Sequence, residues 1–167
     1  MLLTLSTTRP QASDLGYLLH KHPDKVQEFG LTFGKATVFY PQASEQVCTV
    51  ALLVEVDPIS MVRGRQGGGK AGNALDQYVN VRPYAASSLL SVALARVFNT
   101  ALSGRCEPRP DLLNQPWPMQ ASIYALHARH AEVLVRDLFE PLGYTVDFEQ
   151  PPEDLAHPTK TLAKVTV

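Results

Sequence analysis

Cysteine is scarce, with only Cys48 and Cys106 among 167 residues. Two thiols cannot build a disulfide scaffold, so a thiol-reducing cytoplasm is the expected setting. Excess charge is also lacking: 15 Lys and Arg stand against 16 Asp and Glu, a net of −1, while 45% of the residues are hydrophobic. That balance excludes a disordered chain. No apolar run approaches the roughly 18 residues that a membrane span requires. The longest, Val47 to Val56, is interrupted by Cys48, Thr49 and Glu55. The opening MLLTLSTTRP has no basic stretch before its apolar residues, so no secretory signal is read. Internal repeats are absent as well. What remains is a soluble intracellular chain of one domain, long enough to bury roughly two-thirds of its unfolded surface.

The chain carries clear local signals. Leu2 to Thr8 is β-prone and stopped by Pro10, and Ser13 or Asp14 can cap a helix carrying Leu15, Leu18 and Leu19. His22-Pro23 ends that helix, because a residue before proline avoids the helical region. Glu28–Phe33 and Lys35–Tyr40 read as strands broken at Gly34, with a turn at Pro41–Ser44. Val47–Val56 (VCTVALLVEV) reads as a strand buried on both faces. Ala85 to Leu102 is the strongest helix: Leu90, Leu94, Val97, Phe98 and Ala101 form one stripe, Ser87 or Ser88 can cap it, and Gly104 ends it. The stripe is expected to pack on Val47–Val56 as the main core.

Pro108–Pro118 reads as a surface connection with a helical turn at Leu112-Leu113. Gln120–Leu126 and Tyr144–Phe148 read as strands, and His130–Phe139 as a helix stopped by Pro141 and Gly143. Thr161–Val167 is a β-like run without an obvious partner. Strands and helices interleave without a βαβ rhythm. The predicted fold is α+β, a mixed and mostly antiparallel sheet with two to three helices packed on it. Residues 1–167 are expected to be a domain cut from a longer polypeptide.

Charge is distributed unevenly. Residues 63–109 hold seven basic side chains against Asp76 and Glu107, a net of +5, whereas residues 110–154 have a net of −6. Either a basic surface meets a phosphate-bearing or acidic partner, or the two regions face each other.

Few constellations carry chemistry. Gly64 to Lys70 has the G-x4-G-K spacing of a phosphate-binding loop, but Ala71 stands where magnesium needs a hydroxyl. The preceding strand also ends at Asp57-Pro58, seven residues too early. Arg63–Asn73 therefore reads as a flexible basic loop, with nucleotide hydrolysis through Lys70 as a distant alternative. His127 and His130 lack a third metal ligand nearby, and His20 and His22 sit at a helix end, where the helix dipole already explains a histidine. Cys48 reads as an inert core thiol, and Cys106, beside Arg105, as the more reactive one. Asn80, Arg82 and Tyr84 precede the strongest helix with an unusual polar and aromatic make-up. They are the candidate partner-binding residues; the alternative is a capped helix with tyrosines packing at the rim.

Four segments, LHKHPDKVQEFGLTFGKATVFYP (19–41), CTVALLVEVDPISMVRG (48–64), YVNVRPYAASSLLSVALARVFNTALSGRC (78–106) and LFEPLGY (138–144), carry a resemblance in order along the chain. Together they resemble the N-terminal domain of the bacterial 3′-terminal RNA ribose 2′-O-methyltransferase. Val81 stands in the YVN-x-RPY motif where that family implies an acidic residue. The resemblance implies a non-catalytic domain that binds and activates the ligase module of a bacterial polynucleotide kinase-phosphatase, or an RNA ligase, in RNA repair. It also implies that S-adenosylmethionine and a divalent metal belong to a separate methyltransferase domain absent here, leaving no cofactor, metal or catalytic residue in this chain. RNA contact through the assembly, as a substrate-recognition module, is the alternative; no basic stripe interleaved with aromatics supports it.

Overall fold

Alternation of side chains across strands sets the architecture. The computed structural model describes residues 1–57, 83–126, 131–149 and 161–166. In chain order the elements are β1 (Leu2–Thr7), α1 (Leu15–Leu19), β2 (Gln27–Leu31), β3 (Gly34–Ala43), β4 (Cys48–Val56), α2 (Pro83–Leu102), β5 (Met119–Leu126), α3 (Ala131–Phe139), β6 (Thr145–Glu149) and β7 (Thr161–Thr166). Short 3-10 turns lie at Ala12–Asp14, Pro110–Asn114 and Glu140–Leu142. The strands form one seven-stranded sheet in the order β2-β3-β4-β1-β5-β7-β6. The fold is α+β as expected. Every strand pairing is antiparallel, so the sheet is not mixed.

The core lies on one face of this sheet. Cys48, Val50, Leu52 and Val54 of β4 are buried there beside Ala36 and Val38 of β3 and Leu3 of β1, which pairs with Leu52. Leu15 and Leu19 of α1 and Ala93, Val97 and Phe98 of α2 close over them. Each large side chain of this kind contributes about 1.5–3 kcal/mol when fully buried. On the opposite face of the sheet the central residues are Thr4, Ser6, Thr49, Ala51 and Ser122, with the Ser6 and Thr49 hydroxyls 2.9 Å apart. Ala51 is fully buried there, but Thr49 and Leu53 are only half-buried. Burial of β4 on both faces therefore holds only at its centre.

Several expectations are corrected. α2 begins at Pro83, so Ser87 and Ser88 lie inside the helix rather than at its N-cap position. Proline suits a first helical position, where its missing N–H costs no hydrogen bond. The inward face of α2 is led by Ala93, Val97 and Phe98, with Leu90, Leu94 and Ala101 half-buried at its edges. The helix departs from helical geometry at Phe98 (φ −112°, ψ 22°). β3 continues through Pro41 with an irregularity between Phe39 and Gln42. The turn falls later, where the Ser44 hydroxyl donates to the Val47 carbonyl and accepts from its N–H.

The Pro108–Pro118 connection runs over the surface with a helical turn at Pro110–Asn114, as expected, but it is pinned there. Leu112 is fully buried, Trp117 Nε1 donates to its carbonyl at 3.0 Å, and the Thr7 hydroxyl donates to Pro118 at 2.8 Å. The Arg9 guanidinium stacks 4.6 Å from the Trp117 ring centre and donates to Gln115 Oε1. β7, which seemed unpartnered, is inserted between β5 and β6. No helix among the described residues is long and apolar enough to cross a membrane.

Candidate functional site

The sequence-derived candidates fall unevenly on the structure. Asn80 and Arg82 lie outside the described residues, as do Gly64–Ala71, the Arg63–Asn73 loop, His127 and His130. Tyr84 lies in the first turn of α2. Cys48 is fully buried and burial pushes its thiol pKa up, in keeping with an inert core residue. Cys106, read as the more reactive thiol, is 2% exposed, with Sγ 3.4 Å from the Tyr17 carbonyl oxygen. Among the described residues, no three His, Cys, Asp or Glu side chains converge as metal ligands.

The residues that do converge lie where α1 ends. His20 is its C-terminal cap in the left-handed conformation (φ 54°), which turns the chain back sharply. The Lys21 N–H then donates to the Gly16 carbonyl at 2.9 Å, and the Tyr40 hydroxyl donates to the Lys21 carbonyl at 3.0 Å. Gly16 permits this return, since a Cβ there would stand 3.0 Å from both Lys21 O and the Pro23 ring. Burial raises the Tyr40 pKa, so its hydroxyl keeps the proton it donates. Across the turn, His20 Nε2 lies 3.1 Å from the Arg105 carbonyl oxygen, joining α1 to the segment after α2. Asp14, predicted as a cap, makes no cap hydrogen bond; its carboxylate instead lies 3.5 Å from Arg109, which also pairs with Asp111 at 2.9 Å. The guanidinium holds the Asp111 carboxyl below its ordinary range.

These elements enclose an open cleft of about 410 Å³ between α1 and Pro108, with Tyr17, His20, Lys21 and Pro23 in its walls. Lys21 is the unusual group. It is only 8% exposed, and its ammonium lies 5.3 Å from the Phe29 ring centre and 5.7 Å from that of Phe98. Its hydrogen bond goes to the His20 carbonyl at 3.2 Å, and no described carboxylate pairs with it. Burial alone lowers its pKa. An isolated buried charge costs several kcal/mol, and two ring faces return about 1–2 kcal/mol each at best. Nothing in the sequence signalled this, because Phe29 and Phe98 come from distant segments.

A test follows from the sign of that shift. Between the depressed folded pKa and the ordinary 10.5, the unfolded chain holds a proton that the folded chain lacks. Stability must therefore rise with pH through that window. Lys21→Met should match or exceed wild-type stability at pH 7, within about 1 kcal/mol. The wild-type deficit relative to Lys21→Met should shrink as pH approaches 10.5 in denaturant titrations. A deficit that grows instead would reveal an unrecognised anionic partner.

Charge is segregated across the sheet. α2, which packs against α1 and β2, leads to exposed Arg105 near the cleft, while exposed Asp137, Glu140 and Asp147 lie on and around α3 and β6 at the other sheet edge. Of the described residues, Arg109 of the basic region meets Asp111 of the acidic one at 2.9 Å, while Arg105 and the acids of α3 and β6 stand apart.

A seven-stranded antiparallel sheet with helices packed over its core and a cleft beside α1 defines an α+β domain. The chain belongs to the family described as the RNA repair, ligase-Pnkp-associating, region of Hen1, whose model matches residues 1–165. No curated protein matches it. Among solved structures it is similar to a chain in the "Structure of the Pnkp1/Rnl/Hen1 RNA repair complex", with 13% identity and a TM-score of 0.53. The similarity spans 100% of this chain and 37% of that one, so this chain covers little more than a third of its neighbour's length. At that identity the likeness shows the fold alone.

Proposed function

We propose that this chain is the association domain of an RNA 3′-terminal 2′-O-methyltransferase acting in RNA repair, and that it binds and activates the ligase module of a kinase-phosphatase partner. The family match over residues 1–165 is the observation that carries this reading. The polar groups that converge at the cleft beside α1 offer a surface that a partner could contact. S-adenosylmethionine and a divalent metal would be held by a methyltransferase domain elsewhere in the longer protein.

Asn80, Arg82 and Tyr84 are proposed as part of the partner-facing surface, because their polar-aromatic make-up stands just at the start of α2. Arg82→Ala should weaken partner binding or ligase activation by about 1–3 kcal/mol, with the melting temperature shifted by only a few degrees. Adenylation and strand sealing by the ligase, with and without the domain, provide the readout. Intact activation together with a large loss of stability would make Arg82 a structural residue. Failure of the wild-type domain to stimulate sealing would overturn the activating role.

A further inference from the structure

We propose that the cleft beside Lys21 seats a single carboxylate side chain, an Asp or Glu of a protein partner. The inference rests on the docking role proposed above and assigns one of its contact points. Lys21 supplies a positive charge that is more than nine-tenths buried yet unmatched by any described acid. The ring faces of Phe29 and Phe98 attract an ammonium, but they leave its charge in place.

His22 adds a donor. Its Nδ1 accepts from the Asp24 N–H at 3.2 Å, which puts the ring proton of the neutral imidazole on Nε2. The mouth is apolar, formed by half-exposed Tyr17 with Pro23 and Pro108, and so suits the methylenes of an acidic side chain. The Lys21 N–H bond to the Gly16 carbonyl and the Tyr40 hydroxyl bond to the Lys21 carbonyl hold the Lys21 backbone in place before any partner arrives. A polyanion fits less well. Asp24 stands 3.8 Å from His22, and Asp14 flanks the other side beside Arg109, so successive phosphates would meet carboxylates on either hand.

The probe is N-acetyl-glutamate amide, titrated into the full 167-residue chain and followed by the backbone amide resonances of Gly16, Tyr17 and Lys21. Saturable shifts with a dissociation constant on the order of millimolar are expected, with N-acetyl-glutamine amide producing none. Lys21→Met and, independently, the surface variant His22→Ala should each weaken the response by about ten-fold or more. Equal shifts with the glutamine analogue, no saturation with the glutamate analogue, or tighter saturation of the same resonances by a short single-stranded RNA would each overturn the proposal. Partner binding separates this inference from the reading beneath it. A wild-type chain that fails to bind the ligase-containing partner contradicts the docking role. A complex formed equally well by wild type and Lys21→Met contradicts the cleft alone.

Discussion

Gly34→Ala is expected to destabilise the domain by about 3–5 kcal/mol, enough to threaten folding at 37 °C. Gly34 opens β3 opposite Val56 with φ +149°, a region that side-chain-bearing residues rarely adopt. A Cβ there would come within 2.0 Å of the Glu55 carbonyl oxygen, a backbone atom held in the β3–β4 ladder. The Asp57 N–H also donates to the Phe33 carbonyl at 2.8 Å, tying the end of β4 across the β2–β3 turn. Neither strand can retreat without breaking this arrangement. Gly30→Ala is the matched control, since nothing lies within 4 Å of its virtual Cβ. It should cost little, within about 0.5 kcal/mol either way. Urea melts of the pair decide the matter; similar midpoints would mean that the turn relaxes freely.

Phe98→Ala is the second large effect, at about 3–5 kcal/mol. The ring is 4% exposed and fills the space between α2 and the sheet at the break in the helix. It also faces the Lys21 ammonium, so removal opens a cavity and strips a cation–π partner together. The two losses share a site and should not be additive. A double-mutant cycle with Lys21→Met should give a coupling energy of about 0.5–2 kcal/mol. A coupling near zero would show that the ring and the ammonium do not interact in solution. A destabilisation under about 1 kcal/mol would mean that Phe98 packs elsewhere.

The strands and helices were legible where one period dominates. Val50, Leu52 and Val54 lie in an unbroken apolar run, and Val97 and Phe98 follow helical spacing, so β4 and α2 could be located from residue type alone. Which residues of α2 lead the core was less legible, because Leu90 and Leu94 share the apolar stripe yet lie half-buried while small Ala93 is fully buried. Long-range relations left almost no signal. Cys106 looked like a loop thiol because Tyr17, which covers it, is 89 positions away. The insertion of β7 between β5 and β6 depends on crossing the whole third helix, which no local pattern records. Nothing in HKHP marks Lys21 as buried; only the meeting of Phe29 and Phe98 makes it a buried charge.

Analytical ultracentrifugation of the chain with an RNA ligase–kinase-phosphatase partner tests its role as an association domain most directly. A stable complex of defined stoichiometry is expected, with micromolar or tighter affinity that changes little between about 50 and 200 mM salt, as a packed protein interface should. Independent sedimentation of the two components, or binding only to RNA that collapses by orders of magnitude over the same salt range, would contradict it.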